Sequence, residues 1–165
     1  MANTPTSALD TITQTISQEF ADIADLEQVT RIITRLLLAA LLGGVLGFER
    51  ESSGKSAGLR THMLVAMGAA MFVTIAQLIG VDASETSRVI QGVIAGVGFL
   101  GAGVILKSSA DGKEQVKGLT TAAGIWFTAA IGVAVGVGKE SAALICTVVA
   151  LIVLAVVPVL IRDKK

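Results

Sequence analysis

Apolar residues along this chain come in long runs separated by clusters of charge, and the runs are apolar on every side. Five lie at about residues 32–48, 63–79, 89–106, 119–137 and 141–161. Each approaches the roughly 20 residues a helix needs to cross about 30 Å of hydrocarbon. A membrane-spanning strand would instead alternate apolar and polar residues over about ten positions. Only helices and closed barrels satisfy their own backbone in lipid, so the pattern predicts an all-α, polytopic membrane helix bundle of five transmembrane helices. Ahead of it, Leu9, Ile12, Ile16, Phe20, Ile23 and Leu26 recur at three- and four-residue steps, the period of an amphipathic helix. Ser7 and Asp10 have the spacing of a capping box. Five acids in this stretch (Asp10, Glu19, Asp22, Asp25 and Glu27) and the lack of a basic start argue against a signal peptide. The expected organisation is an interfacial segment over residues 1–30, lying on the membrane or on the protein itself, then a five-helix membrane domain over residues 31–165.

The basic residues give this arrangement a direction. The first loop holds Arg50, Lys55 and Arg60, the third Lys107, Lys113 and Lys117, and the tail Arg162, Lys164 and Lys165. The second loop offers Arg88 and the fourth Lys139. Lysine and arginine accumulate on the cytoplasmic side. The expected topology therefore has the N-terminal helix outside and the C-terminus in the cytoplasm.

Composition agrees with a membrane protein. The chain is 16% charged, against about 25% for a soluble domain, and 53% hydrophobic with a mean hydropathy of +0.77. Its formal net charge is zero, so whole-chain charge gives no reason to expect a nucleic-acid partner. The single cysteine, Cys146, excludes an intrachain disulfide and a cysteine metal cluster. Inside an apolar run it reads as a small hydrophobe in packing.

Eighteen glycines fall mostly within or beside the spans. Gly43, Gly44 and Gly47 line the first, Gly92, Gly96, Gly98, Gly101 and Gly103 crowd the third, and Gly132 and Gly136 form a GxxxG in the fourth. In lipid, small residues let helices approach closely. Two readings follow: tight packing within one chain, or a homodimer face. On either, leucine at Gly98 or Gly101 is expected to disrupt more than leucine at Val97. Gly96 to Gly101 also spells G-x-G-x-x-G, but the dinucleotide fingerprint needs a preceding strand and a βαβ unit. Here it lies in a membrane span, where the expected consequence is a break or kink. Gly54-Lys55-Ser56 lacks the upstream glycine of a P-loop, since Glu49 occupies that position. Two loops resemble each other. Ser52-Ser53-Gly54-Lys55 leads to Gly58-Leu59-Arg60-Thr61, and Ser108-Ser109 with Gly112-Lys113 leads to Gly118-Leu119-Thr120-Thr121. Chance likeness and an internal repeat of the kind found in transporters both account for this.

Ionisable groups gather at two depths. Glu27, Arg31 and Arg35 follow at four-residue steps, so Glu27 and Arg31 can pair. An unpaired arginine at the bilayer centre costs roughly 2.5–3.5 kcal/mol; near an interface it snorkels. Arg35 with Asp82 or Glu85 of the second loop is read as an outer charge clamp, the alternative being an ion path. At the inner side, Glu49, Arg50 and Glu51 close the first span, and Arg60, Thr61 and His62 open the second. A short loop between these ends is expected to gather Glu49, Arg50, Arg60 and His62 into one cluster. His62, the only histidine, titrates near neutrality when unperturbed. Ordinary interfacial charge is the other reading of this cluster.

Several motifs, in order, resemble a known family. Gly47-Phe48-Glu49-Arg50-Glu51 and Ala57-Gly58-Leu59-Arg60-Thr61-His62 resemble the first signature of MgtC/SapB membrane proteins. Gln91-Gly92, the run from Gly96 to Gly103 and Gly118-Leu119-Thr120-Thr121-Ala122-Ala123 resemble the second. The resemblance covers about residues 31–161. It implies a multi-pass protein of the bacterial inner membrane, linked to growth in low magnesium, acid tolerance and survival inside host cells. It further implies a regulator of membrane partners such as the ATP synthase. Many members add a soluble C-terminal domain, which this sequence, ending at Lys165, does not include. The expected function is therefore non-enzymatic modulation of ion, magnesium-related, homeostasis or stress adaptation, through contacts with other membrane proteins in the lipid bilayer and as a homodimer or other homo-oligomer. No cofactor, metal or catalytic residue is expected. The alternative is an ion or small-solute transporter or channel, with Gln91, the third-span glycines, Thr120 and Thr121 along a packing face or pathway. Against it, no acid lies deep in a span, although backbone carbonyls can substitute.

Overall fold

A computed structural model describes residues 7–21, 25–110 and 113–162. The chain forms two compact units, Met1–Ile33 and Thr34–Lys165. In the first, helix α1 (Ala8–Glu19) starts at a capping box. The Ser7 hydroxyl accepts from the Asp10 amide, and the Asp10 carboxylate accepts from the Ser7 amide, both at 3.2 Å. This satisfies two of the amides that every helix start leaves without partners. Its apolar stripe is uncovered: Leu9 is 75% and Phe20 81% exposed. Ile23 and Asp22 lie outside the described residues. Helix α2 (Leu26–Ser52) begins in this unit. Its start is capped by Asp25, whose carboxylate accepts from the Gln28 amide at 2.7 Å, and its first turns carry the Glu27–Arg31 ion pair.

The second unit holds the rest of α2, then α3 (Leu59–Leu78), α4 (Ala83–Val104), strands β1 (Leu106–Ala110) and β2 (Lys113–Lys117), α5 (Leu119–Gly136) and α6 (Glu140–Arg162). Five of the helices are long and apolar enough to cross a membrane. Helices α2, α3 and α6 begin ahead of their hydrophobic stretches, as does α4, while α5 keeps within its own. Large apolar side chains cover their outer surfaces, among them Leu41, Phe72, Phe99, Ile145 and Val153. A lipid-facing exterior requires this, and water would penalise it. The all-α membrane bundle expected from the sequence is the fold observed.

Helix α3 is the centre. On one side α2 lies against it through Gly43 and Gly47: a Cβ on Gly43 would stand 2.6 Å from the His62 carbonyl oxygen, and one on Gly47 would stand 2.7 Å from Leu59 Cα. Next to α2, α5 lies against α3 through Gly132 and Gly136, where a Cβ would meet the Ala66 and Ala70 carbonyl oxygens at 2.2 and 2.7 Å; Ala66 serves both contacts. The facing surface of α3 is small as well, with Ala66, Ala69, Ala70 and Ala76 all buried. Three helices thus touch backbone to backbone. The GxxxG of the fourth span packs inside the chain.

Three expectations need correction. The third loop carries a two-stranded antiparallel hairpin, pairing Leu106 with Lys117 through to Ala110 with Lys113. Leu106, read from sequence as the end of the third span, opens its first strand. The sequence between the strands is Asp111-Gly112, a dipeptide that two-residue hairpins favour. Helix α4 is neither broken nor interrupted by its glycines and runs from Ala83 to Val104. Cys146 is exposed on α6 instead of packed. The two similar loops share one feature: Gly58 and Gly118 each stand at the N-cap of the following helix. They differ in backbone. Gly118 has φ +92°, and a Cβ there would lie 2.1 Å from the Val104 carbonyl oxygen, so only glycine fits.

Candidate functional site

The end of the bundle near Glu49 is built by the last turn of α2 and the first turns of α3 and α5. Arg50, 3% exposed, donates from Nε to the Glu49 carboxylate and from Nη2 to the Leu154 carbonyl oxygen of α6 at 3.3 Å. That carbonyl is free because Pro158 sits four residues on, inside α6, and proline has no amide hydrogen to return. A helix defect in α6 thus becomes the acceptor for a buried guanidinium. Glu49 is held in turn by the Ser53 hydroxyl at 3.0 Å. The Glu51 carboxylate accepts from the Leu59 amide at 2.8 Å and so caps α3, whose N-cap Gly58 has no side chain to do it. Glu51→Ala should cost about 1 kcal/mol, the usual worth of an N-cap. A lowered thermal midpoint in detergent, largely restored by Glu51→Gln, is the expected result.

His62 is 1% exposed. Its Nδ1 lies 2.9 Å from the Gly58 carbonyl oxygen. A carbonyl only accepts, so Nδ1 carries the hydrogen and Nε2 of the neutral ring presents a lone pair. Nε2 has no hydrogen-bond partner. It faces a cavity of about 260 Å³ between α5 and α6, lined among others by Leu46, Thr120, Gly124, Thr128 and Leu154. Thr128, fully buried, also lacks a partner for its hydroxyl. Thr121 is buried on α5.

Of the four residues expected to cluster, Glu49 and Arg50 meet. His62 turns to the cavity. Arg60 is exposed and makes no ion pair or hydrogen bond among the described residues. Thr128 was not singled out from the sequence, although Thr120, Thr121 and Thr128 share a helix face at seven- and eight-residue steps. The role of Leu154 had no signal in its own side chain; Pro158 was the clue.

On α4, Gln91 is exposed. Gly92, Gly96, Gly98 and Gly103 have no atom within 4 Å of a Cβ position, and Gly101 meets Ala122 at an ordinary 3.6 Å. Val97 is the buried residue, so the expected order of damage between Gly98 and Val97 is reversed for packing within the chain. Gly92 and Gly96 border an apolar groove of about 600 Å³ between α3 and α4, with Gly68 on the opposite wall. At the other end of the bundle, Arg35 donates to Gln77 Oε1 at 2.7 Å and to the Gly136 carbonyl oxygen at 2.8 Å, joining α2 to α3 and α5. Asp82 caps α4 by accepting from the Glu85 amide at 2.9 Å, and Glu85 pairs with Arg88 at 3.1 Å.

Comparison with known proteins places this geometry. SrpB of Synechococcus elongatus is 48% identical over 130 residues, covering 73% of this chain and 71% of that protein. The Escherichia coli K12 protein named "Putative magnesium transporter YhiD" is 44% identical over 131 residues, 75% of this chain and 59% of its own length. MgtC of Brucella abortus is 49% identical over 110 residues, 67% of this chain and 44% of its own. This chain thus spans about half the length of the last two. No solved structure matches it significantly. The model of the MgtC family matches residues 36–162, from the first turns of α2 within the bundle to the end of α6, and the chain is a membrane protein belonging to that family.

Proposed function

We propose that this protein serves magnesium-related homeostasis in the bacterial inner membrane as a non-enzymatic regulator, presenting its lipid-facing helix surfaces to other membrane proteins. The observation that carries this reading is the closure of the bundle. Among the described residues, α3 meets α2 at Gly43 and Gly47 and meets α5 at Gly132 and Gly136, backbone to backbone, while the groove and the cavity each have an outer helix, α4 or α6, as one wall. The name of the Escherichia coli relative, "Putative magnesium transporter YhiD", supports the connection with magnesium. The first partner to test is a second copy of the chain. In this reading the Glu49 end faces the cytoplasm, following the loop lysines and arginines.

The rival reading is transport, favoured by the partnerless His62 nitrogen and Thr128 hydroxyl in one cavity. Magnesium flux into proteoliposomes separates the two. The regulator gives no flux above empty vesicles and co-purifies with a membrane partner after crosslinking in cells; saturable, protein-dependent flux overturns it. Topology is checked independently. With Cys146 replaced, a cysteine at Ser84 should label with an impermeant thiol reagent in intact cells, and one at Ser53 should not.

A further inference from the structure

We propose that the cavity between α5 and α6 binds a neutral membrane amphiphile bearing a free hydroxyl, of the mono- or diglyceride class, with the hydroxyl held by His62 and Thr128. This is independent of whether the protein regulates or transports.

The polar groups fix the head. His62 Nε2 presents a lone pair, because Nδ1 is spent on the Gly58 carbonyl at 2.9 Å, and so it calls for a hydrogen-bond donor. The Thr128 hydroxyl, buried and without a partner, gives or takes a hydrogen. A Cβ on Gly124 would lie 3.6 Å from Nε2, and Thr128 follows Gly124 by one helical turn on the same face, roughly 5–6 Å away. One hydroxyl between them reaches both, donating to nitrogen and accepting from threonine.

The rest of the lining fixes the body. Leu46, Phe127, Val153 and Leu154 are apolar, and Val149 and Val153 also stand exposed toward lipid, so entry is sideways from the bilayer. Water as sole occupant fits poorly. Each molecule takes about 30 Å³ and wants two to four polar partners, while the cavity has about 260 Å³ and few such groups. A metal ion lacks carboxylates or thiolates here. A phosphate lacks a free cation, since the nearby Arg50 is committed to Glu49 and Leu154. His62 lies in the first turns of α3 and Thr128 near the middle of α5, so the hydroxyl is held below the helix ends, at a depth where a charged head is costly and a neutral one is not.

The single histidine makes the test direct. The full chain is labelled with ¹⁵N-histidine and placed in phosphatidylcholine nanodiscs. Dioleoylglycerol should move the Nε2 resonance saturably in the direction of an accepted hydrogen bond, and its O-methyl ether should not. Thr128→Val should weaken binding roughly tenfold, the equivalent of one hydrogen bond, while thermal unfolding shows the fold intact. The proposal is overturned by an Nε2 resonance that ignores diglyceride, including one already hydrogen-bonded to water in phosphatidylcholine alone. It is equally overturned by an equal response to the ether, a response to phosphatidylglycerol alone, or undiminished affinity in Thr128→Val.

Discussion

Gly132→Leu is expected to take the bundle apart. The first added carbon would lie 2.2 Å from the Ala66 carbonyl oxygen and 2.9 Å from its carbon, and neither backbone atom yields as a side chain would. Helix α2 shares the same stretch of α3: a Cβ on Gly43 would stand 2.6 Å from the His62 carbonyl oxygen and 2.8 Å from Ala66 Cβ, so displacing Ala66 also disturbs that contact. Overpacking usually costs about 1–3 kcal/mol. A clash with backbone at a residue that packs two helices belongs at the top of that range or above, and separating α5 from α3 also forfeits the dispersion that holds helices together in lipid. The control is Gly96→Leu, where the added side chain meets no atom within 4 Å of its Cβ. Size-exclusion chromatography after a temperature ramp in detergent should show Gly132→Leu lost or aggregated and Gly96→Leu close to the parent. Equal thermal midpoints for the two would refute the central role of α3.

Glu49→Gln should destabilise the protein by about 1–2 kcal/mol, less than breaking a fully buried ion pair costs, because Glu49 is partly solvated and the amide still accepts a hydrogen bond. Arg50 is 3% exposed and would keep its charge against neutral acceptors alone, the amide oxygen of the replaced side chain and the Leu154 carbonyl. Adding Arg50→Met should recover much of the loss, because the double variant leaves no stranded charge. Chemical denaturation of the four members of this cycle measures the coupling. Glu49 and Arg60 should instead be additive, since Arg60 is exposed and has no partner among the described residues. A further variant probes the acceptor. Pro158→Ala returns an amide hydrogen to the Leu154 carbonyl, so the guanidinium must compete for it, and Arg50→Met should cost less in that background. If it costs the same, the proline does not create the acceptor.

What the sequence disclosed follows from the range of each cause. Run length and helical period are local, and they predicted the five spans and the amphipathic α1. The capping box of Ser7 and Asp10 and the pair of Glu27 and Arg31 are set by three- and four-residue spacings, and both are present. Glycine packing is not local. Counting glycines pointed to the third span, yet Gly96 and Gly98 face open space while Gly43 and Gly132 face a neighbour's backbone. The count says that a close approach is possible; only the choice of neighbouring helix says where it happens. The same holds for Arg50, whose acceptor lies 104 positions away, and for His62, whose ring points at α5 and α6 instead of toward Arg60. The hairpin was hidden for another reason. Its strands are short and lie among lysines, where charge suggested a loop.

The glycine contacts divide the protein mechanically. Helix α3 meets α2 and α5 backbone to backbone at these glycines, and Leu42, Leu46, Ile131 and Val135 fill the core they share, so the three behave as one stiff plate. Helix α4 packs on α5 through Val97 and Gly101, whereas α6 borders the cleft and has more room to shift against that plate. A thinner or thicker bilayer shifts helix tilt at a cost of fractions of a kcal/mol per ångström of mismatch, and that load falls most on α6. Because α6 alone supplies the carbonyl that holds Arg50, a change in membrane thickness is transmitted to the charged end of the bundle through one hydrogen bond.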